Sequence, residues 1–430
     1  MRAAVNMWSV TLVCLGLVTS HEAPAQSPEA AFQHKGPIRS IALLGDGATL
    51  VTGGFDSAIA IRDIRTQRDL KVLRFHDSAV TALAALSGDC FASGGDDTRI
   101  AVWCGQSETP QHTLSGHRGP ISALAAGPVS ASWDRSATVW SGGVAKAAID
   151  HAAPIIGLGW LAIGTRLVTA SYDGEVRVTR VGADATAARL LHRSQLPVAI
   201  NALTVGAGKI LVASVDGHVR RLGPELGVEA EIEIDGGPLT AITLSADGRT
   251  AVAAGIRTPP TIIDVVSGKV VRRLPATGLP IWSLAMSAEG DTVFVGGSDG
   301  VLRRWNVHTG AAIGNATAPE AEPLPTSDDH PGARVFQACQ VCHAITPESG
   351  QRAGPTLHGI MGRRIATAPG YGYSDALRKL DIVWSSDTIA RLFEVGPAAM
   401  TPGTKMPEQR ITDPADRQAL VDWLSRVTQP

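Results

Sequence analysis

The 430-residue chain lacks a charge excess of either sign, is poor in aromatic residues, and has no apolar run long enough to cross a bilayer. Its 38 Lys and Arg and 40 Asp and Glu give a formal net charge of −2, which argues against nucleic acid or an anionic membrane surface as a partner. The mature chain is therefore expected to have no membrane span. With 44% hydrophobic and 18% charged residues, the composition is that of a globular protein, and its length invites two or three domains.

The N-terminus has the pattern of a cleavable export signal. Arg2 precedes a mostly apolar stretch over residues 7–18, and Ala23-Pro24-Ala25 fits a small-x-small cleavage site. The apolar stretch is shorter than the roughly 20 residues that a transmembrane helix needs. We expect a signal peptide over residues 1–25, a mature chain from about Gln26, and a periplasmic location.

Cysteines are few, and their number bears on the redox compartment. Removal of Cys14 with the signal leaves four of the five cysteines. Cys90 and Cys104 would lie opposite each other if two antiparallel strands paired about Asp97, and an oxidising compartment would permit a disulfide between them. Two small buried hydrophobic residues are the alternative interpretation, and the sequence leaves the two open.

A strand of small residues that ends in Asp recurs about every forty residues between residues 34 and 310. The spacings between successive Asp residues are 41, 37, 39, 43 and 83. The residues are Asp56, Asp97, Asp134, Asp173, Asp216 and Asp299. The widest gap leaves room for one degenerate unit, with a strand at Thr250 to Gly255 and Arg257 in place of the Asp. Seven units of short alternating strands separated by turns predict an all-β, seven-bladed propeller.

These units resemble the WD-repeat family. In the third unit His117, Asp134 and Trp140 match three members of the hydrogen-bond set that stabilises each blade, and a serine of Ser130-Ala131-Ser132 would be the fourth. His34 with Asp56 and His76 with Asp97 repeat parts of this set, although the terminal Trp-Asp dipeptide of the family is absent. A residue that recurs once per blade indicates a structural role, so we do not assign these His and Asp residues to a metal or catalytic site.

The propeller is expected over residues 26–314. A Pro-, Ala- and Glu-containing linker follows over 315–330, and an all-α domain occupies 331–430. Either Gly310 to Ile313 or Ala31-Phe32 could supply the last outer strand of the propeller.

Cys339-Gln340-Val341-Cys342-His343 is a C-x-x-C-H motif, which is typical of covalent c-type haem attachment. Two thiols three residues apart in a helical turn can meet the two vinyl groups of one porphyrin edge, and the adjacent histidine can then reach the iron. A C-x-x-C pair alone also occurs in redox dithiols and zinc sites.

The segment from Gly332 to Val427 resembles mitochondrial-type class I cytochrome c. The resemblance implies that the Pro355 carbonyl accepts a hydrogen bond from His343, and that Met406, in the loop from Pro402 to Pro407, is the sixth iron ligand, 63 residues after His343. It also implies that helices near the two ends of the domain cross at Gly332, Phe336 and Trp423.

The same resemblance assigns further residues around the haem. Tyr373, Trp384 and Arg363 are the expected contacts of the propionates, and Thr404 belongs to the haem pocket. Met400 is a weaker rival for the iron, while Met361 and His358 are given structural roles. Leu377 and Leu392 replace polar residues of the family, which removes hydrogen bonds near Met406.

A six-coordinate His/Met iron has no open position for substrate, so the predicted function is electron transfer through one covalent haem c. No catalytic residue is assigned. The 11 basic and 9 acidic residues of 331–430 suggest a transient encounter with a redox partner, such as a dehydrogenase, reductase or oxidase, that docks on the propeller and the haem edge. The alternative is an oxidoreductase with a second cofactor or substrate site in the propeller. Nitrite reductases of one family combine a cytochrome c domain with a haem-bearing propeller, but in the opposite order.

Overall fold

The computed structural model describes residues 33–429, apart from 183, 185, 235–236, 276–278, 315–329, 337–338, 341, 347–353, 370, 372, 374, 403, 405, 407–409 and 412. The predicted signal peptide and residues 315–329 of the predicted linker lie outside this described part. Among the described residues, no helix is long and apolar enough to span a membrane.

Seven antiparallel sheets follow one another along the chain, each made of consecutive strands. These sheets are the blades of a propeller, as the sequence predicted. The strands of blades 1–4 are β1 (Ile38–Leu43), β2 (Thr49–Gly54), β3 (Ala58–Asp63), β4 (Asp69–Arg74), β5 (Val80–Ala85), β6 (Phe91–Gly95), β7 (Ile100–Trp103), β8 (His112–Leu114), β9 (Ile121–Ala125), β10 (Val129–Ser132), β11 (Ser136–Ser141), β12 (Val144–Asp150), β13 (Ile155–Ala162), β14 (Arg166–Ser171), β15 (Glu175–Val181) and β16 (Ala188–Gln195). Those of blades 5–7 are β17 (Ile200–Gly206), β18 (Lys209–Ser214), β19 (His218–Leu222), β20 (Val228–Glu233), β21 (Leu239–Leu244), β22 (Thr250–Gly255), β23 (Thr261–Asp264), β24 (Lys269–Arg273), β25 (Ile281–Met286), β26 (Thr292–Gly297) and β27 (Leu302–Asn306). The degenerate sixth unit thus has its predicted strand, β22.

Small residues are needed in the second strand of each blade because neighbouring structure approaches it closely. A Cβ at Gly53 would lie 2.6 Å from Val80 Cγ1 of the next blade, and one at Gly54 would lie 2.3 Å from the His34 ring. Both distances are far below van der Waals contact. The recurring small-residue strand therefore reflects close packing between and within blades.

The predicted histidine–aspartate set forms in blade 3. Trp140 Nε1 donates to Ser130 Oγ at 2.8 Å, the Ser130 hydroxyl lies 2.7 Å from His117 Nε2, and His117 Nδ1 lies 2.9 Å from the Asp134 carboxylate. Trp103, Ser93, His76 and Asp97 repeat this arrangement in blade 2. The structural interpretation of these residues is confirmed, and Ser130 is the serine of the set.

Blades 5 and 7 use an arginine where blades 1–4 use a histidine. Arg220 and Arg303, both on the third strand, are buried with only 6% and 2% of their surface exposed. Arg220 Nη2 lies 2.6 Å from Asp216 and Arg303 Nη1 lies 3.0 Å from Asp299. In these two blades a guanidinium on the third strand thus donates hydrogen bonds to the aspartate of the turn.

The last outer strand comes from the C-terminal side of the propeller. Ala312 forms an isolated antiparallel bridge with Trp305, and the Ile313 N–H donates to the Arg304 carbonyl at 2.9 Å. Ser283 Oγ of blade 7 donates to the Ile38 carbonyl of blade 1 at 2.8 Å and joins the ends of the ring. Of the two alternatives, the structure thus uses the segment from Gly310 to Ile313, while Ala31-Phe32 lies outside the described residues.

Cys90 and Cys104 form a disulfide across the β6–β7 hairpin. Phe91 pairs with Trp103 in the ladder, which puts the two cysteines opposite each other one position further out. The register predicted from Asp97 is confirmed, and the disulfide is the alternative that the structure adopts.

The C-terminal domain is helical and has its own apolar core. Its helices are α1 (Pro331–Phe336), α2 (Asp375–Arg378), α3 (Ser386–Val395), α4 (Pro397–Met400) and α5 (Pro414–Val427). Helices α1 and α5 cross where a Cβ at Gly332 would lie 2.5 Å from Trp423 Cβ, and the Phe336 and Trp423 rings pack 5.0 Å apart. The predicted crossing at a glycine and two aromatic residues is confirmed.

Candidate haem-binding site

One cavity in the C-terminal domain gathers the residues that the sequence singled out. Its walls come from the end of α1, the loop after it, α3, α5 and the segment between α4 and α5. All nine predicted site residues line it, namely Cys339, Cys342, His343, Pro355, Arg363, Tyr373, Trp384, Thr404 and Met406. Residues up to 67 positions apart are thus brought to one site by the fold.

The C-x-x-C-H motif lies on a helical turn that directly follows α1. The Cys339 N–H donates to the Phe336 carbonyl at 2.7 Å, and the Cys342 and His343 N–H groups donate to the Cys339 carbonyl at 3.1 and 3.0 Å. Cys339 is buried and Cys342 is half-buried. Burial, with a contribution from Cys342, raises the pKa of the Cys339 thiol to about 12. Both sulfur atoms are therefore presented to one cavity from one turn.

His343 is held in a single tautomer by the loop that follows. Its Nδ1 lies 2.8 Å from the Pro355 carbonyl, which can only accept, so Nδ1 carries the proton and Nε2 carries a lone pair. A Cβ at Gly354 would lie 2.5 Å from the His343 ring, so glycine is required where the loop passes the imidazole. A neutral, oriented imidazole of this kind suits an iron ligand.

Met406 lies in the cavity wall on a segment that Thr404 supports. The Met406 N–H donates to Thr404 Oγ1 at 3.1 Å. Met400 and Met361 pack against the apolar core of the domain and are not part of the cavity lining. The structure therefore brings Met406, rather than its rival Met400, to the cavity that His343 lines.

Two of the three predicted propionate contacts, Arg363 and Trp384, lie on segments that hydrogen-bond to each other. The backbone N–H of Trp384 donates to the Arg363 carbonyl at 2.9 Å. Arg363 Nη1 donates to the His358 carbonyl at 2.9 Å, and Nη2 donates to the Thr356 carbonyl, so this guanidinium also braces its own loop. Arg363, Tyr373 and Trp384 all line the cavity and give it a polar side with one cation.

The interior of the cavity is apolar. Leu377 and Leu392, the two departures from the family pattern, line it and are buried. Ile389, Phe393 and Leu424 complete this apolar side. Two thiols, an imidazole, a thioether and an apolar interior with one polar side together fit a haem attached through its vinyl groups and ligated on both faces.

Besides the apolar lining residues, Gly354, Tyr371 and Phe55 belong to the site and were not assigned to it from the sequence. Gly354 shapes the wall beside His343, and Tyr371 lies in the lining with its ring 4.7 Å from that of Tyr373. Burial raises the pKa of both phenols, so both stay neutral. The third residue, Phe55, comes from blade 1 of the propeller and also lines the cavity. Gly354 and Tyr371 lie within the recognised motifs, but no sequence signal points to Phe55.

Comparisons with known proteins match the two parts of the chain separately. The cytochrome c family model matches residues 330–428, and the WD domain, G-beta repeat model matches residues 26–63, 67–104, 108–141 and 268–306. Among solved structures, the WD40 β-propeller domain of Doa1 is similar with a TM-score of 0.57 and 20% identity, over 64% of this chain and 94% of that one. This likeness concerns the fold alone.

Curated relatives match the C-terminal domain over nearly their whole length. Cytochrome c2 of Rhodomicrobium vannielii is 30% identical over 115 residues, which is 27% of this chain and 91% of that protein. Cytochrome c of Arabidopsis thaliana is 36% identical over 103 residues, which is 24% of this chain and 91% of that protein. Through its C-terminal domain the chain therefore belongs to the cytochrome c family, and WD40 repeats form the seven-bladed propeller that precedes this domain.

Proposed function

We propose that this chain is a periplasmic electron carrier with one haem c, bonded to Cys339 and Cys342 and ligated by His343 and Met406. The observation that carries the proposal is the convergence of these four side chains on one cavity with the His343 tautomer already set. Bound haem supplies the one-electron couple of its iron. With both axial positions taken, the chemistry is outer-sphere electron transfer.

The protein's own residues define the environment of that couple. The Pro355 carbonyl orients His343 and increases its basicity through the 2.8 Å hydrogen bond. Leu377 and Leu392 exclude water from the interior and offer no hydrogen bond to a methionine sulfur. Arg363 places a cation on the polar side, where the propionates are expected.

The proposed location is supported by two independent features. Residues 1–25 have the pattern of an export signal, and Cys90 and Cys104 are joined in a disulfide, which persists in oxidising compartments such as the periplasm.

The propeller is proposed as the docking module for the redox partner. Its histidines His34, His76, His117 and His151 are buried and are all engaged in hydrogen bonds within their blades. Because these histidines are occupied structurally, they give no support to a second haem in the propeller.

The axial ligands are tested by replacing Met406 and Met400 separately with alanine in the full, haem-loaded chain. M406A is expected to lose the ferric absorption of a methionine–iron bond and to lower the midpoint potential, since a strong ligand that favours high potential is removed. M400A alters only core packing and should retain both properties. An absorption spectrum of M406A identical to that of the unmodified protein would refute His/Met ligation.

The number of haems is a separate measurement. One haem per chain by pyridine haemochrome, together with a protein mass that includes one haem and falls on replacement of both motif cysteines by serine, is the expected result. Two haems per chain would instead favour a second cofactor in the propeller.

A further inference from the structure

In each of the seven blades a turn follows the second strand, and the first residues of these turns occupy equivalent positions. In each blade the residue before the turn aspartate, or before Arg257 in blade 6, donates its N–H to the carbonyl of the residue immediately before the first strand. We call these the tip residues; they are Phe55, Asp96, Trp133, Tyr172, Val215, Ile256 and Ser298.

The aromatic tip residues differ in their exposure. Trp133 and Tyr172 are 58% and 50% exposed. Phe55 is less exposed than these two residues, and it lines the cavity that His343 and Met406 also line. The equivalent position in three blades thus carries an aromatic ring, and the ring of blade 1 is the one that meets the cytochrome domain.

Phe55 is supported from behind by two residues near the junction of blades 7 and 1. The Arg39 guanidinium lies 5.8 Å from the centre of the Phe55 ring and 4.9 Å from that of Trp282. Stacking of a guanidinium between two aromatic rings is favourable, and more so when it is shielded from water. Phe55 is therefore a positioned side chain.

The tip residue of blade 2, Asp96, carries a charge. The carboxylate of Asp96 acts electrostatically on Arg39 of the propeller and also on Tyr371 of the cytochrome domain, where it adds to the effect of burial in raising the pKa of the phenol. Tyr371 is itself part of the cavity lining. The charge of the blade 2 tip residue thus acts on a residue of the cavity wall, while the blade 1 tip residue lines the cavity itself.

We propose that the propeller supplies one wall of the haem site through Phe55, so that both domains of one chain enclose the haem. Phe55 acts as a positioning and shielding residue: it keeps water from one side of the cavity and docks the cytochrome domain on blade 1. A redox partner that approaches from this side meets the propeller, whose Trp133 and Tyr172 stay exposed on other blades. The shielding role rests on the proposed function, because it requires haem in the cavity, but the docking contact does not.

The contact is tested by cross-linking in the full chain. Phe55 and Ala366, a half-buried residue of the cavity lining, are both replaced by cysteine and treated with a short bismaleimide. The matched control replaces Trp133 instead of Phe55. Peptide mass spectrometry should find the Phe55–Ala366 link at least about tenfold more often than the control link, a ratio that corresponds to about 1.4 kcal/mol. Equal yields for both pairs would overturn the proposal, whether or not the chain carries haem.

The shielding role is tested by the midpoint potentials of F55A and W133A in the haem-loaded chain. Water entering beside the cavity stabilises the more highly charged ferric state, so F55A should shift to a lower potential and W133A should not. Unchanged potential in F55A, with the cross-link present, would reject the shielding role and leave only the contact. Absence of bound haem, seen by haemochrome, would instead count against the proposed function.

Discussion

Replacement of Gly354 by alanine would add a methyl group beside His343, the proposed iron ligand. The new Cβ would lie 2.5 Å from His343 Cε1, 2.8 Å from Nδ1 and 2.9 Å from the Cys342 carbonyl oxygen. Carbon atoms in contact are normally about 3.5–4.0 Å apart, so the imidazole has to move by about 1 Å. That movement breaks or weakens the 2.8 Å hydrogen bond to Pro355.

The magnitude follows from the two interactions that are lost. Overpacking of this kind costs about 1–3 kcal/mol, and the hydrogen bond contributes about 0.5–1.5 kcal/mol. Alanine also restricts the unfolded chain more than glycine does, which offsets this loss of stability by up to about 1 kcal/mol. G354A should therefore lower the free energy of unfolding of the cytochrome domain by about 1–4 kcal/mol. It should also change the haem absorption spectrum, because the His343 imidazole, the proposed axial ligand, is displaced.

The assay is denaturant unfolding of the haem-loaded chain, followed by haem absorbance. Gly359 is the matched control in the same domain: an added Cβ there meets nothing within 4 Å, but its φ of 65° disfavours alanine. G359A should cost about 1–2 kcal/mol and leave the haem spectrum unchanged. An unaltered spectrum and unfolding midpoint in G354A would show that the loop does not confine His343 as described.

Two further predictions concern the propeller. Ser93 Oγ accepts from Trp103 Nε1 and bonds to His76 Nε2, both at 2.9 Å, so S93A should lower the stability of the propeller by about 2–4 kcal/mol in urea unfolding followed by circular dichroism. In S214A the change should be near zero, because the equally buried Ser214 hydroxyl has no hydrogen-bond partner among the described residues; equal losses would contradict the argument. The pKa of Asp97 is lowered to about 2: burial alone would raise it, but hydrogen bonds from His76 and Arg99 and the charge of His76 outweigh that effect. Since the folded pKa lies below the unfolded value near 3.9, about 2 kcal/mol of stability is present above pH 4 and is lost as the pH falls towards 2. The thermal midpoint of D97N should depend less on pH between 4 and 2 than that of D77N, whose side chain is 84% exposed. Parallel curves of midpoint against pH for the two variants would contradict this role of Asp97.

Local patterns in the sequence predicted most of the fold and most of the haem site. The cysteines and histidine of the motif are neighbours on one helical turn, and strand alternation and the recurring turn aspartates are also local. Such features follow from short-range geometry, so Cys339, His343, β22 and the register that places Cys90 opposite Cys104 could be predicted from the residues and their spacing, whereas the disulfide itself was left open. Met406 and Pro355 came from the resemblance of the surrounding loops to a known family.

Features that depend on residues far apart in the chain became visible only in the tertiary structure. Arg220 and Arg303 replace the blade histidine from another strand, so no repeated spacing reveals them. The choice of the segment from Gly310 to Ile313 as the outer strand depends on which backbone groups are available to Trp305. Phe55 lies 351 positions before Met406, and only the tertiary structure brings both side chains to one cavity. The sequence by itself determined a propeller and a haem-bearing domain, whereas the place of Phe55 in the cavity lining depends on contacts between residues far apart in the chain, which no local pattern encodes.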